Sequence, residues 1–289
     1  MPYILFADAS CDLPVSFIQE SKIEVVPMEF VMEGKRYNHY PDYREMSYDL
    51  FYHKLQNGVL PQTSQINSAV YIEQFEPYLK KGTDVLYLCF SSGMSGSYNS
   101  CLIAVSELKK QYPQRKIIVV DSLCASSGYG YFIYQVFQKI NENLDIEAIA
   151  EYAESIKLNC CHWFIVDDLE YLKRGGRIST ITATFGKALN IKPLISLDNE
   201  GRLVSVGKIR GIQKAYETLI EKMKRDADNY SEQTVFVAHS YAPEHVQILK
   251  ERLDPMVKKV VVCEIGPIVG THVGPSLFAI VFMGRRNWT

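Results

Sequence analysis

No apolar run in this sequence approaches the roughly 18 residues that a membrane-spanning helix needs. No Cys-x-x-Cys pair occurs among its seven cysteines, an odd number, and several stand inside apolar runs, where a free thiol behaves as a small hydrophobe. Neither a metal site nor a disulfide framework is therefore expected. The six histidines include no His-Glu-x-x-His, which removes the zinc-hydrolase pattern. The glycine–lysine phosphate loop and the Gly-x-Gly-x-x-Gly fingerprint are also missing, so nucleotide binding by this chain alone has no support. There is no basic block. The 31 Lys and Arg stand against 33 Asp and Glu, a formal charge of −2, and the electrostatic footprint of a nucleic-acid binder is absent. No internal repeat or low-complexity segment is evident. The start lacks a basic cluster and a long apolar region; it runs straight into Asp8 and reads as a first strand rather than a signal peptide. The expectation is a cytoplasmic protein with no nucleic-acid partner. Its 289 residues, 47% hydrophobic and 22% charged, suit one large domain or two medium ones.

What is present is organised around one stretch. Val85 to Phe90 is a short apolar run, the pattern of a strand buried on both faces. Ser91-Ser-Gly-Met-Ser-Gly-Ser97 follows at once, and then an amphipathic helix with Tyr98, Cys101, Leu102, Val105 and Leu108 on one face. A hydroxyl-rich, glycine-bent turn between a strand end and a helix start suits an anion, because helix N-terminal N–H groups point outward there. It equally suits an ordinary serine cap. Apolar strands alternate with helices through the first half, and polar turns follow three strand ends: Asp8 to Ser10, Ser91 to Ser97, and Asp121-Ser122. Such strands form a parallel sheet covered on both faces, with ligands outside the carboxyl ends. Ile23 to Met32 reads as a second extended segment, broken at Gly34-Lys35, and Ser47 as the cap of a helix over 48–56. After a helix over 145–155 the pattern changes. Strands at 161–166, 194–197, 203–209, 235–239, 260–264 and 277–283 mix hairpin and crossover connections, with a turn at Asn199-Glu-Gly201 and a loop over 266–274. The fold expected is α/β in two domains: a parallel three-layer α/β/α domain over 1–155, and a mixed-sheet α/β domain over 156–289 that carries the basic residues.

The candidate chemistry lies in the turns. Gly93-Met-Ser95-Gly-Ser97 is close to a Gly-x-Ser-x-Gly nucleophile elbow, but the second glycine comes one position early. His239 or His272 could serve as base and Asp121 or Asp167 as orienting carboxylate, although nothing in sequence joins them. Lys173-Arg-Gly-Gly-Arg177 and Lys208-Ile-Arg210-Gly211 are tight basic turns, and His272 sits in Gly270-Thr-His-Val-Gly-Pro275. Arginine beside glycine, in a chain that also carries hydroxyl turns, suits recognition of a carboxylate or phosphate. Thr63-Ser-Gln-Ile-Asn-Ser68 is a second hydroxyl-rich turn.

Taken in order, these residues resemble the DegV family of bacterial fatty-acid-binding proteins, those that serve a separate fatty acid kinase. The marks are Asp8-Ala-Ser-Cys-Asp-Leu-Pro14, Thr63-Ser-Gln65, Ser91 to Ser97, Asp121-Ser122, Asp168 to Ser179, Ile191-Lys-Pro193, Arg210-Gly211 and His272-Val-Gly-Pro275, nearly the whole length of the chain. Two positions depart from the family: Ile66 stands where Pro is usual, and Ser276 where Gly is frequent. The resemblance implies a long-chain fatty acid buried in the first domain with its carboxylate near the domain interface. Thr63 and Ser95 match the positions that hydrogen-bond the carboxylate, and Arg177, Arg210 and His272 match the basic positions facing it. It implies no catalytic residue, metal or cofactor in this chain. ATP and metal would belong to the kinase subunit, which would phosphorylate the carboxylate to an acyl-phosphate for phospholipid synthesis, and a passing membrane contact would serve lipid exchange. A stand-alone serine hydrolase using Ser95, or an anion-binding module without lipid, is the alternative that the residues alone leave open.

Overall fold

The computed structural model describes residues 3–140, 142, 144–167, 169–178 and 190–286. The first half runs β1 (Tyr3–Asp8), α1 (Val15–Ser21), β2 (Glu24–Val26), β3 (Met28–Met32), β4 (Lys35–His39), α2 (Tyr48–Gln56), β5 (Gln62–Thr63), α3 (Ser68–Lys80), β6 (Asp84–Cys89), α4 (Ser97–Gln111), β7 (Ile117–Asp121), α5 (Ser126–Ile140) and α6 (Ile146–Ile156). The apolar strands β1 and β6 lie side by side at the centre of a four-stranded parallel sheet ordered β2-β1-β6-β7. The chain leaves β1 towards β2 on one side and β6 towards β7 on the other. The carboxyl ends of β1 and β6 therefore form a topological switch point, where a crevice opens. Side-chain oxygens start the helices as expected: Ser47 accepts from the Leu50 amide at 3.3 Å, Asn67 from Val70 at 3.1 Å and Asp145 from Ala148 at 2.8 Å.

The extended segment expected over 23–32 is two strands in different sheets. Pro27, which has no N–H to donate, separates β2 from β3. Glu33 and Gly34 both have positive φ, the two-residue turn that folds β3 onto β4 as a hairpin. Two residues of β5 then pair with the other side of β3, closing a three-stranded antiparallel sheet and fixing Thr63 opposite Phe30.

The second half runs β8 (Cys160–Ile165), α7 (Glu170–Arg174), β9 (Ile191–Leu197), β10 (Leu203–Arg210), α8 (Ile212–Asp226), β11 (Thr234–His239), α9 (Pro243–Leu253), β12 (Lys259–Glu264), α10 (Pro267–Val273) and β13 (Phe278–Met283). Its sheet is ordered β10-β9-β8-β13-β11-β12; β11 and β12 are parallel and the other neighbours antiparallel. A mixed sheet thus follows a parallel one, as expected. The expected loop over 266–274 is instead α10, so His272 stands in the last turn of a short helix.

Three cores follow from the strand alternation. Phe6, Val85, Tyr87 and Cys89 face α3 and α4 on the outer side of the parallel sheet. Trp163, Ile165, Val237 and Ile280 face α8 and α9 on the outer side of the mixed sheet. Between the sheets, Leu5, Leu86, Leu88 and Val120 meet α5 and α6, which also pack against Cys160, Phe164, Phe236 and Val281. Helix α5 is thus shared, touching β8, β11 and β13 of the other sheet. Each large apolar side chain buried in this way is worth about 1.5–3 kcal/mol, so this middle layer ties the halves together. All seven cysteines are buried with free thiols. Among the described residues no helix is long and apolar enough to cross a membrane.

Candidate functional site

The three polar turns meet at the switch point. Asp8, fully buried at the end of β1, accepts from the Ser10 amide at 3.1 Å, from the Ser10 hydroxyl, from Tyr87 at 2.9 Å and from the Phe90 amide at 3.4 Å. Burial raises its carboxyl above the ordinary value, and these donors oppose the rise. Asp121 accepts from the Ser92 amide at 3.1 Å and from Leu123 at 3.2 Å, which ties the turn after β7 to the turn after β6. Ser91 donates to the Gly201 carbonyl at 2.8 Å, so the β9–β10 hairpin docks on the same turn from the other half. Within it, Ser95 Oγ lies 2.9 Å from Ser97 Oγ and accepts from the Ser97 amide at 3.2 Å. Ser97 Oγ in turn accepts from the Ile66 amide at 3.1 Å, which anchors the stretch after Thr63.

Thr63 meets a residue from the far end of the chain. Its Oγ1 lies 2.8 Å from Nε2 of His272. The Nδ1 atom of that imidazole is buried without a hydrogen-bond partner. Burial, with the nearby charge of Arg177, pushes the His272 pKa down to about 4. His272 is therefore a neutral hydrogen-bonding group near pH 7, where the resemblance implied a basic one. Arg177 is exposed just after α7, with its guanidinium donating to the Gly175 carbonyl at 2.6 Å.

Thr63, Ser95, His272 and Arg177 all line one cavity, with about 880 Å³ of space not filled by atoms when its open mouth is included. Behind them the walls are apolar: Met28, Phe90 and Met94 from the first half, and Phe164, Leu172, Leu197, Ile265, Ile268, Val269, Val273, Leu277, Ala279 and Val281 from the second. Both halves supply these walls, the second more than the first, whereas the resemblance implied a tunnel within the first half. The reason is the layering, since the space lies between the two sheets. In front, Ser95 and Arg177 also border an open polar cleft with Ser92, Asn99, Asp198 and Arg202. The structure brings together four of the five residues singled out in the sequence. Arg210 stands apart, exposed at the end of β10 and outside the lining of both spaces. Asp168 and Ser179, the ends of one sequence mark, lie outside the described residues.

Two contributors escaped the sequence reading. Asp12, buried with left-handed backbone, accepts from Ser126 Oγ at 2.6 Å and from the Gly266 amide at 2.9 Å. It thereby clamps the start of α5 and the cap of α10 around the cavity. Burial pushes its carboxyl up to about 7. Its turn was visible as oxygen-rich, but the partners lie 114 and 254 residues away. His162 also lines the cavity from the middle of β8. A lone histidine in an apolar strand reads as core, and nothing in the sequence marks it otherwise.

Among the described residues Ser95 has no imidazole partner: the serine bonds Ser97, His272 bonds Thr63, and Nδ1 of His162 lies 2.9 Å from the Cys160 carbonyl oxygen. What the arrangement provides is an apolar pocket that ends in hydroxyls and a guanidinium at the surface. The family model for DegV, described as uncharacterised proteins, matches residues 4–285. A DegV domain-containing protein of Clostridium perfringens is 37% identical over 284 residues, spanning 98% of this chain and 97% of its own length. A DegV family protein of Thermus thermophilus whose structure is described for fatty acid binding has a TM-score of 0.88 at 27% identity, covering 98% of this chain and 100% of that one. DegV of Bacillus subtilis, described as a fatty acid binding protein, has a TM-score of 0.83 at 27% identity, covering 98% and 99%.

Proposed function

The chain belongs to the DegV family, and on that premise we propose that it binds a long-chain fatty acid between its two sheets and presents the carboxylate to a separate fatty acid kinase. One observation carries the reading: an apolar cavity ends at Thr63, Ser95, His272 and Arg177 where it meets an open polar cleft. The fatty acids bound by the Thermus thermophilus and Bacillus subtilis relatives support the same ligand class.

The energetics divide the work. Each buried methylene is worth about 0.8 kcal/mol, so a chain of about 16 carbons supplies roughly 12 kcal/mol before the costs of association. The Thr63 and Ser95 hydroxyls donate to the carboxylate and set its register, and a hydrogen bond to a charged group adds roughly 1.5–3 kcal/mol. A neutral His272 orients Thr63 without adding charge. Arg177 faces the cleft side, where a kinase would approach with ATP and metal. A carboxylate oxygen would then attack the terminal phosphorus of ATP, the bond to the bridging oxygen would break, and ADP and acyl-phosphate would leave. The acyl-phosphate would feed phospholipid synthesis. Arg177 would stabilise charge on the transferred group, and exposed Arg210 would meet the kinase surface.

The test is reconstitution. The lipid-loaded protein with a cognate kinase, ATP and magnesium is expected to yield acyl-phosphate, and neither protein alone is. Turnover of an activated ester by this protein alone, lost in Ser95→Ala, would favour the hydrolase instead.

A further inference from the structure

Ser95 lines both the cavity and the cleft, whereas Ser97, two residues on, lines neither. Ser97 is 1% exposed and opens α4. Its hydroxyl has two partners among the described residues. The Ile66 amide donates to Ser97 Oγ at 3.1 Å, and Ser95 Oγ lies 2.9 Å away. An amide N–H cannot accept, so Ser95 Oγ is the acceptor left for the Ser97 hydroxyl hydrogen. Were Ser95 the donor of this pair, that hydrogen would be buried without a partner, which is costly and rare in folded proteins. Ser97 therefore donates and Ser95 accepts.

The hydrogen-bond inventory of Ser95 then closes. A serine oxygen has a pair of acceptor sites. One takes the Ser97 hydroxyl, and the other takes the Ser97 amide at 3.2 Å. With both filled, Ser95 has only its own hydrogen left to offer, and it offers it where the cavity meets the cleft. A carboxylate, which only accepts, is the partner that this hydrogen suits. The brace behind it is firm, because Ile66 is itself buried and supplies the N–H that a proline at this position would lack.

We propose that Ser97 is a positioning residue of the head-group site, which holds the Ser95 hydroxyl as a donor to the fatty acid carboxylate without itself touching the ligand; this rests on the fatty-acid reading above. Orientation in advance spares the site the cost of turning that hydroxyl on binding, and donation from Ser97 strengthens the bond that Ser95 makes in turn. Loss of the Ser97 hydroxyl is therefore expected to weaken binding on the order of fivefold. The test is a double-mutant cycle in which stearic acid is titrated into delipidated wild type, Ser97→Ala, Ser95→Ala and the double variant. The expected result is that Ser97→Ala costs about fivefold when Ser95 is present and nothing further when Ser95 is already alanine. A loss by the same factor in both backgrounds would make Ser97 a purely structural residue and overturn the inference, and so would unchanged affinity in the single variant. Ser97→Cys, whose thiol donates only weakly, takes the place of Ser97→Ala in the cycle if the alanine variant does not fold. Either failure leaves fatty-acid binding standing. Wild-type protein that binds no stearic acid overturns the fatty-acid reading, and this inference with it.

Discussion

Replacing Asp12 with asparagine is expected to stabilise the protein at alkaline pH and to do little at acid pH. Asp12 is buried and accepts from Ser126 and Gly266, and burial raises its carboxyl from 3.8 to about 7. A raised carboxyl means that the native state holds the proton more tightly than the unfolded chain does. Its contribution is intact below the unfolded value and is lost as pH rises through the folded one. A rise of about 3 units at 1.36 kcal/mol each sets a ceiling of about 4 kcal/mol lost by pH 8. Asparagine never ionises and tolerates the left-handed backbone at this position. Its oxygen can keep the Gly266 bond, and its amide can donate to the Ser126 hydroxyl. Urea unfolding of the lipid-free protein from about pH 5 to about pH 8.5 reads the difference. The variant's advantage is expected to grow through that window towards the ceiling. A difference that stays flat with pH, or a variant less stable than wild type at pH 8, would refute the reasoning about Asp12.

The site makes two further predictions. Thr63→Ala and Ser95→Ala are each expected to weaken fatty acid binding about tenfold or more while leaving the fold intact, because a hydrogen bond to a charged group is worth roughly 1.5–3 kcal/mol; unchanged affinity in both, measured by titration, would remove them from the head-group site. Arg177→Ala and Arg210→Ala are expected to keep their lipid but to lose most acyl-phosphate formation with a cognate kinase, and lipid lost in proportion to activity would show instead that these arginines hold the ligand.

The parallel sheet and the turn after β6 were legible because a buried parallel strand is apolar throughout and a run of serines and glycines ends that pattern abruptly. Val85 to Phe90 followed by Ser91 carries both signals. The hairpin around Asn199-Glu-Gly201 was legible for the same local reason. Three features were not. β5 is two residues long, and its strand character comes from pairing with Phe30 and Val31 rather than from its own pattern. Helix α10 was read as loop because Gly270 and Gly274 look like breakers. In the fold Gly270 is there for close approach, since a Cβ would lie 2.5 Å from the Tyr52 hydroxyl. The sharing of α5 between two sheets is a tertiary fact, and it moved the cavity from the first half to the space between the halves. Site residues showed the same division. Thr63 and Ser95 announce themselves in hydroxyl turns, whereas the neutrality of His272 depends on burial that its neighbours in sequence do not encode.

The central claim is that the space between the sheets holds a fatty acid. The most direct measurement is native mass spectrometry of the protein as purified from a bacterial host, followed by denaturation and lipid analysis of the released ligand. The account predicts a mass excess matching one long-chain fatty acid per chain, released on unfolding. A protein that is purified empty and takes up no fatty acid on titration would contradict it.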